Sequence, residues 1–133
     1  MIDFGEFFRA VQVGDSDPAL GDHQEAHAPY PWQRRLAERC AHDHPPAVIA
    51  VPTGTGKTMT IDALVWALAH QAERPAAERT VGVRIVWAID RRIIVDEVHE
   101  HARALAETLT RALEDRSDAL HDVASRLARL SGG

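Results

Sequence analysis

Two short apolar runs, joined by a glycine turn and a helical stretch, constrain the fold of this chain more than any other feature. Ala47-Val48-Ile49-Ala50-Val51 has the length of a strand and is bounded by prolines. Pro52-Thr53-Gly54-Thr55-Gly56 reads as a turn. Lys57 to about Gln71 reads as a helix whose apolar face carries Ile61, Leu64, Val65 and Leu68. A polar stretch from Glu73 to Thr80 then leads into Val81 to Ile89, a second strand-length run that stops at Asp90. Strand, helix, strand in that order is a βαβ unit, which implies a parallel sheet with a right-handed crossover. The expected fold class is therefore α/β, a parallel sheet with flanking helices.

The rest of the chain reads as helices. Ile2, Phe4, Phe7, Phe8 and Val11 recur at helical spacing, and Gly14 to Pro31 follows as a loop or exposed arm rich in Gly, Asp, Pro and His. A helix is expected from Trp32 to His42, ending before Pro45-Pro46. Ile94, Val98, Ala102, Leu105, Leu109 and Leu113 form one long stripe. Leu120, Val123, Leu127 and Leu130 form another. At 133 residues the chain has room for one core, divided here into an N-terminal helix and acidic arm (1–31) and an α/β body (32–133).

Composition matters at one residue. Fourteen of the 15 cationic side chains are arginines, and the lone lysine is Lys57, inside the glycine turn. A guanidinium is a planar fork, whereas an ammonium is a slim point charge that threads into a tight loop. The net charge of −5 comes wholly from residues 1–30, while residues 31–133 are balanced, so the acidity does not exclude a nucleic-acid partner for the body. A single cysteine, Cys40, permits no intrachain disulfide and suits a reducing compartment. There is no signal-peptide pattern, and no apolar run approaches the ~20 residues of a membrane span. The expectation is a cytoplasmic protein without a membrane partner.

The turn is built for phosphate. Thr53, Gly54, Thr55 and Gly56 let successive backbone N–H groups curl toward phosphate oxygens, and the following helix adds its N-terminal partial charge. Lys57 would reach the β- and γ-phosphates of ATP, and the Thr58 hydroxyl would hold Mg²⁺. The full G-x-x-x-x-G-K-[ST] pattern asks for glycine at 51, where this chain has Val51. Upstream, in Pro29-Tyr-Pro-Trp-Gln33, the amide of Gln33 could pair with the edge of adenine while Tyr30 or Trp32 stacks on its face. Equally, locally, Trp32 could be core and Gln33 solvated.

Three other clusters imitate functional sites. Asp96-Glu97-Val98-His99 resembles a strand-end box that binds magnesium, yet its apolar spacing places it on a surface helix, so no catalytic residue is assigned there. His42-Asp43-His44 and His121-Asp122 resemble a phosphohydrolase pair but lack the further ligands such a site needs. Asp90-Arg91-Arg92, at the end of the second run, could grip a nucleic-acid backbone or be ordinary surface charge.

Together, Pro31-Trp-Gln33, Val51-Pro-Thr-Gly-Thr-Gly-Lys-Thr58 with Trp66, and Trp87-Ala-Ile-Asp-Arg-Arg-Ile-Ile-Val-Asp96 resemble a superfamily 2 helicase. More narrowly, they are similar to the N-terminal part of the CRISPR-associated helicase–nuclease of type I-U (I-G) systems. The resemblance spans about residues 2–130 and rests for its narrower part on the 87–96 segment. It implies a P-loop NTPase, RecA-like fold, with an incomplete first helicase domain here. It also implies Gln33 as the adenine reader, Gly54 to Thr58 as the ATP loop with Mg²⁺, and Asp90, Arg91 and Arg92 on single-stranded DNA. The implied enzyme is an ATP-dependent helicase recruited by a guide-RNA effector complex, with its acid box, second domain and nuclease beyond Gly133. Such a piece alone is expected to bind ATP weakly and hydrolyse it negligibly. Two other readings stand beside this one: a self-contained small P-loop protein with Asp96 on the metal, and a non-catalytic interaction domain whose glycine turn is incidental.

Overall fold

The computed structural model of the chain describes residues 1–15, 27–52, 56–89 and 91–132. Among the described residues five helices carry the fold: α1 (Phe4–Asp15), α2 (Pro31–His42), α3 (Thr60–His70), α4 (Arg92–Glu114) and α5 (His121–Leu130). Single 3-10 turns at Lys57–Met59 and Ala76–Glu78 flank α3.

Helix α1 opens on a capping box. The Glu6 N–H donates to Asp3 Oδ1 at 2.9 Å, and the Asp3 N–H donates to Glu6 Oε2 at 3.1 Å. Its inner face buries Phe4, Phe7, Phe8 and Val11, the stripe expected from the sequence. The Phe4 ring meets Trp66 of α3 edge-on at 5.7 Å, and Trp66 Nε1 donates to the Ile2 carbonyl at 3.1 Å. Helix α2 starts with proline at its first position, which sacrifices no intrahelical bond. It ends at His42, with the Asp43 N–H returning to Arg39 O at 2.8 Å, ahead of the two prolines. Ala37, Ala41, Ala63 and Ala67 are fully buried, and these small side chains let α2 and α3 form the most extensive helix pair in the fold.

Helix α4 runs for 23 residues, about 34 Å at the usual rise, and buries Val98, Leu105, Thr108 and Ala112. It lies against α1 and α5, and α5 in turn packs on α3. The stripe at Ile94, Val98, Ala102, Leu105, Leu109 and Leu113 does form one face, but Ile94 and Leu113 at its ends stand exposed. Between α4 and α5, Asp115 accepts from the Ser117 N–H and hydroxyl, and Asp118 accepts from the Leu120 N–H. These turns hold the chain out of the helix until His121, where α5 begins.

The expected parallel sheet is not formed: among the described residues there is no strand, and the architecture is helical. The runs at 47–51 and 81–89 do not pair with each other, and Val48 and Val86 stand 78% and 89% exposed. The physical reason lies in what such runs require. Unbroken apolar strands are stable in sheets covered on both faces, and a lone pair of strands has too few neighbours to hold itself together. The 81–89 run does start beside the end of α2. Gln71, fully buried at the end of α3, donates through Nε2 to Cys40 O (2.8 Å), Ala41 O (3.1 Å) and Thr80 Oγ1 (2.8 Å). Its Oε1 accepts from the Thr80 N–H (2.9 Å) and the Val81 N–H (3.2 Å). The Thr80 hydroxyl then donates to Asp43 O at 2.7 Å, so the end of α2 and the start of the 81–89 run are one hydrogen-bonded unit.

Candidate functional site

The glycine turn is described from Gly56 onward; Thr53, Gly54 and Thr55 lie outside the described residues. Gly56 has φ +78°, a left-handed conformation that favours glycine. Its carbonyl accepts twice, from the Met59 N–H at 3.1 Å and from Gln33 Nε2 at 3.0 Å. In a trans peptide the following N–H points the opposite way, so the Lys57 N–H is directed away from Gln33. A Cβ on Gly56 would come within 2.6 Å of Gln33 Nε2 and 3.6 Å of the Tyr30 ring. Two independent constraints therefore demand glycine at this position: the backbone angle and the neighbouring amide.

Gln33 sits at the third position of α2 and is only 1% exposed. Its Oε1 accepts from the Tyr30 N–H at 2.8 Å, the half of a capping box that a glutamine supplies. The amide is thus turned to Tyr30 and Gly56. One N–H and one lone pair of the amide are not used by these two bonds. Tyr30 is 52% exposed beside it, while Trp32 is half-buried against the core.

Lys57 is exposed and makes no ion pair among the described residues, and Thr58 is half-buried in the 3-10 turn that leads into α3. The Thr60 hydroxyl donates to Lys57 O at 2.6 Å, which ties the turn to the first residue of the helix. An exposed ammonium, a hydroxyl one residue on and a helix start directly behind them suit the β- and γ-phosphates and the divalent ion of a nucleotide.

Arg91 and Arg92 are exposed at the start of α4, with Arg91 as its N-cap; Asp90 lies outside the described residues. Asp96, Glu97 and His99 stand exposed on α4 itself, one to two turns in. Asp43 and His44 are exposed and bond to each other at 3.4 Å, and hydrogen bonds from His44 hold the Asp43 carboxyl below its ordinary value. His121 Nδ1 lies 2.8 Å from Ala112 O, a contact between helices. Among the described residues no group of three or more His, Cys, Asp or Glu could hold a metal ion. No helix among them is long and apolar enough to cross a membrane.

Two features were not foreseen from the sequence. Asp62, one turn beyond Thr58, is buried on α3 and lies 2.6 Å from His101 Nε2 on α4. A carboxylate inside the apolar stretch Ile61 to Ala69 was the available signal. His70, at the end of α3, packs against His42 and Trp66, and its Nδ1 is buried without a hydrogen-bond partner among the described residues. Burial pushes its imidazole below the ordinary histidine value, with His42 and Arg74 acting the same way.

The family model of the type III restriction enzyme res subunit (ResIII) matches residues 26–111, well over half of the chain. That span holds α2 with Gln33, the glycine turn, α3 and all of α4 but its last three residues. No curated protein and no solved structure gives a significant match. The chain belongs to the ResIII family, which is superfamily 2 helicase-like and ATP-dependent.

Proposed function

We propose that residues 32–133 are the ATP-binding portion of a DNA helicase, preceded by a helix and acidic arm at 1–31. The observation that carries this reading is the left-handed Gly56, locked by Gln33, with the exposed Lys57 and the Thr58 hydroxyl directly behind it at the start of α3. In this reading Thr53 to Lys57 cradle the phosphates of ATP and Thr58 holds Mg²⁺, which neutralises charge on the phosphate oxygens when bound. Gln33 both supports the turn and reads adenine when the corner beside Tyr30 opens. Asp90, Arg91 and Arg92 contact the backbone of single-stranded DNA. The missing sheet belongs to the same reading: a RecA-like parallel sheet in which 47–51 and 81–89 are strands with further neighbours.

The narrower assignment is the CRISPR-associated helicase–nuclease of type I-U (I-G) systems, recruited by a guide-RNA effector complex to unwind and degrade target DNA. It is supported by the Trp87 to Asp96 segment. No residue of this chain is assigned to catalysis.

The test uses a single-stranded oligonucleotide and a salt series. Replacing Arg91 and Arg92 by glutamate should weaken oligonucleotide binding and reduce the slope of log K against log salt by roughly 1.4, about 0.7 per lost phosphate contact. Nucleotide affinity should be unchanged in the same variant. An unaltered slope would remove these arginines from the DNA site. For the narrower assignment, the protein should bind an effector complex paired with its target more tightly than the same complex without target.

A further inference from the structure

Helices α3 and α4 face each other across a cavity rather than a packed seam. Ile61, Val65 and Leu68 of α3 and Val98, Leu105 and Leu109 of α4 line an open apolar space of about 560 Å³, bordered by the 83–89 run. Helix α4 is held chiefly by α1 and α5, and α3 chiefly by α2 and α5. Close packing therefore does not fix the spacing between α3 and α4. What joins them is polar: Asp62 and His101 meet at 2.6 Å, with side chains only 2% and 15% exposed.

Such a pair is not explained by stability alone. A buried carboxylate must be partnered, and an apolar residue of similar volume usually stabilises a core at least as well. Its location is informative. Asp62 lies in the first turn of α3, directly behind Lys57 and Thr58. His101 lies nine residues along α4 from Arg92, about 13.5 Å at the usual helical rise. One end of the link is attached to the phosphate turn, the other to the helix that presents Arg91 and Arg92.

We propose that Asp62 and His101 are positioning residues that transmit nucleotide binding at the glycine turn to the arginines at the start of α4. The inference rests on the functional reading above for the roles of the two ends. Phosphate binding draws on the first turn of α3; Asp62 moves with it, and His101 carries α4 over the cavity. By reciprocity, DNA on Arg91 and Arg92 tightens nucleotide binding by the same factor.

The experiment is a double-mutant cycle on coupling, in the whole protein. Affinity for a single-stranded oligonucleotide is measured with and without saturating non-hydrolysable Mg·ATP analogue, in wild type, Asp62→Ala, His101→Ala, the double variant and His101→Gln. Wild type should show coupling of at least about fivefold. Asp62→Ala, His101→Ala and the double variant should each fall to within about twofold of none, with no further loss in the double. His101→Gln, which keeps a donor for Asp62, should recover part of it. Asp62→Ala leaves no unpaired buried charge and so tests the link even if His101→Ala does not fold. Folded Asp62→Ala protein that keeps wild-type coupling overturns the inference. Wild type that binds both ligands without coupling also overturns it while leaving the functional reading intact. Wild type that binds neither ligand overturns both.

Discussion

Replacing Gln71 by leucine tests how the fold holds together the corner at the end of α3, one helix length from the glycine turn. The amide is fully buried and joins three separate stretches: the end of α2 through Cys40 O and Ala41 O, Thr80 through its hydroxyl and N–H, and Val81 through its N–H. An amide has two hydrogens and one oxygen, so its three acceptors and two donors amount to about four hydrogen bonds. Each contributes about 1 kcal/mol net, and leucine would leave the buried Val81 N–H without its partner. The similar volume of leucine recovers part of the loss, which gives a destabilisation of about 3–4 kcal/mol. For a chain of this size that corresponds to roughly 10–15 °C in melting temperature. Thermal and denaturant unfolding followed by circular dichroism would measure it, with Arg103→Ala as the control. Arg103 makes an exposed pair with Glu107 at 2.9 Å, which solvent screens, and its removal should leave the unfolding midpoint essentially unchanged. Amide exchange at Val81 should quicken in Gln71→Leu. A loss below about 1 kcal/mol would refute the role of Gln71 as the clamp between α2, α3 and the 81–89 run.

Gly56→Ala should destabilise by about 2–3 kcal/mol, from the left-handed backbone together with the displaced Gln33 bond, and should weaken nucleotide binding; unchanged denaturant midpoints would contradict a positive φ there. For His70, burial holds the folded imidazole below its ordinary value of 6.5, so as pH falls the unfolded chain takes up the proton first. Stability should therefore decline from about pH 6.5 down to the lower folded value, and His70→Phe should flatten that decline in denaturant midpoints measured from pH 7 to pH 5; parallel curves for the two proteins would reject the assignment. Glu97→Gln should leave ATP turnover at its wild-type level, because Glu97 is exposed on a helix; turnover abolished by this change would restore the acid-box reading of Asp96 and Glu97.

Local features were legible in the sequence because their determinants lie close together. Phe4, Phe7, Phe8 and Val11 announced the inner face of α1, and Pro31 and Pro45-Pro46 bracketed α2. The Gly-Lys-Thr turn at 56–58 marks the start of the helical stretch, a 3-10 turn that leads into α3. What escaped notice depends on partners distant along the chain. Gln71 looked like a helix end, yet it binds residues 31 and 30 positions earlier. Asp62 and His101 are 39 residues apart, and nothing local says they meet. Gln33 was open between base reader and solvated side chain. The structure places it against Gly56, a contact set by how α2 docks on α3. The apolar runs at 47–51 and 81–89 carry strand propensity, but a strand exists only through its neighbours, which periodicity within one segment cannot supply.

The most direct test of the central claim is calorimetric titration of Mg·ATP, or a non-hydrolysable analogue, into wild type and Lys57→Ala. Lys57 is the chain's single lysine, is exposed beside Gly56, and makes no ion pair among the described residues, so its removal should not disturb folding. Wild type should bind one nucleotide, and Lys57→Ala should bind it at least about tenfold more weakly, a difference of about 1.4 kcal/mol, at an unchanged melting temperature without ligand. Wild type that binds no nucleotide, or two proteins that bind it equally, would contradict the claim that this turn is an ATP site.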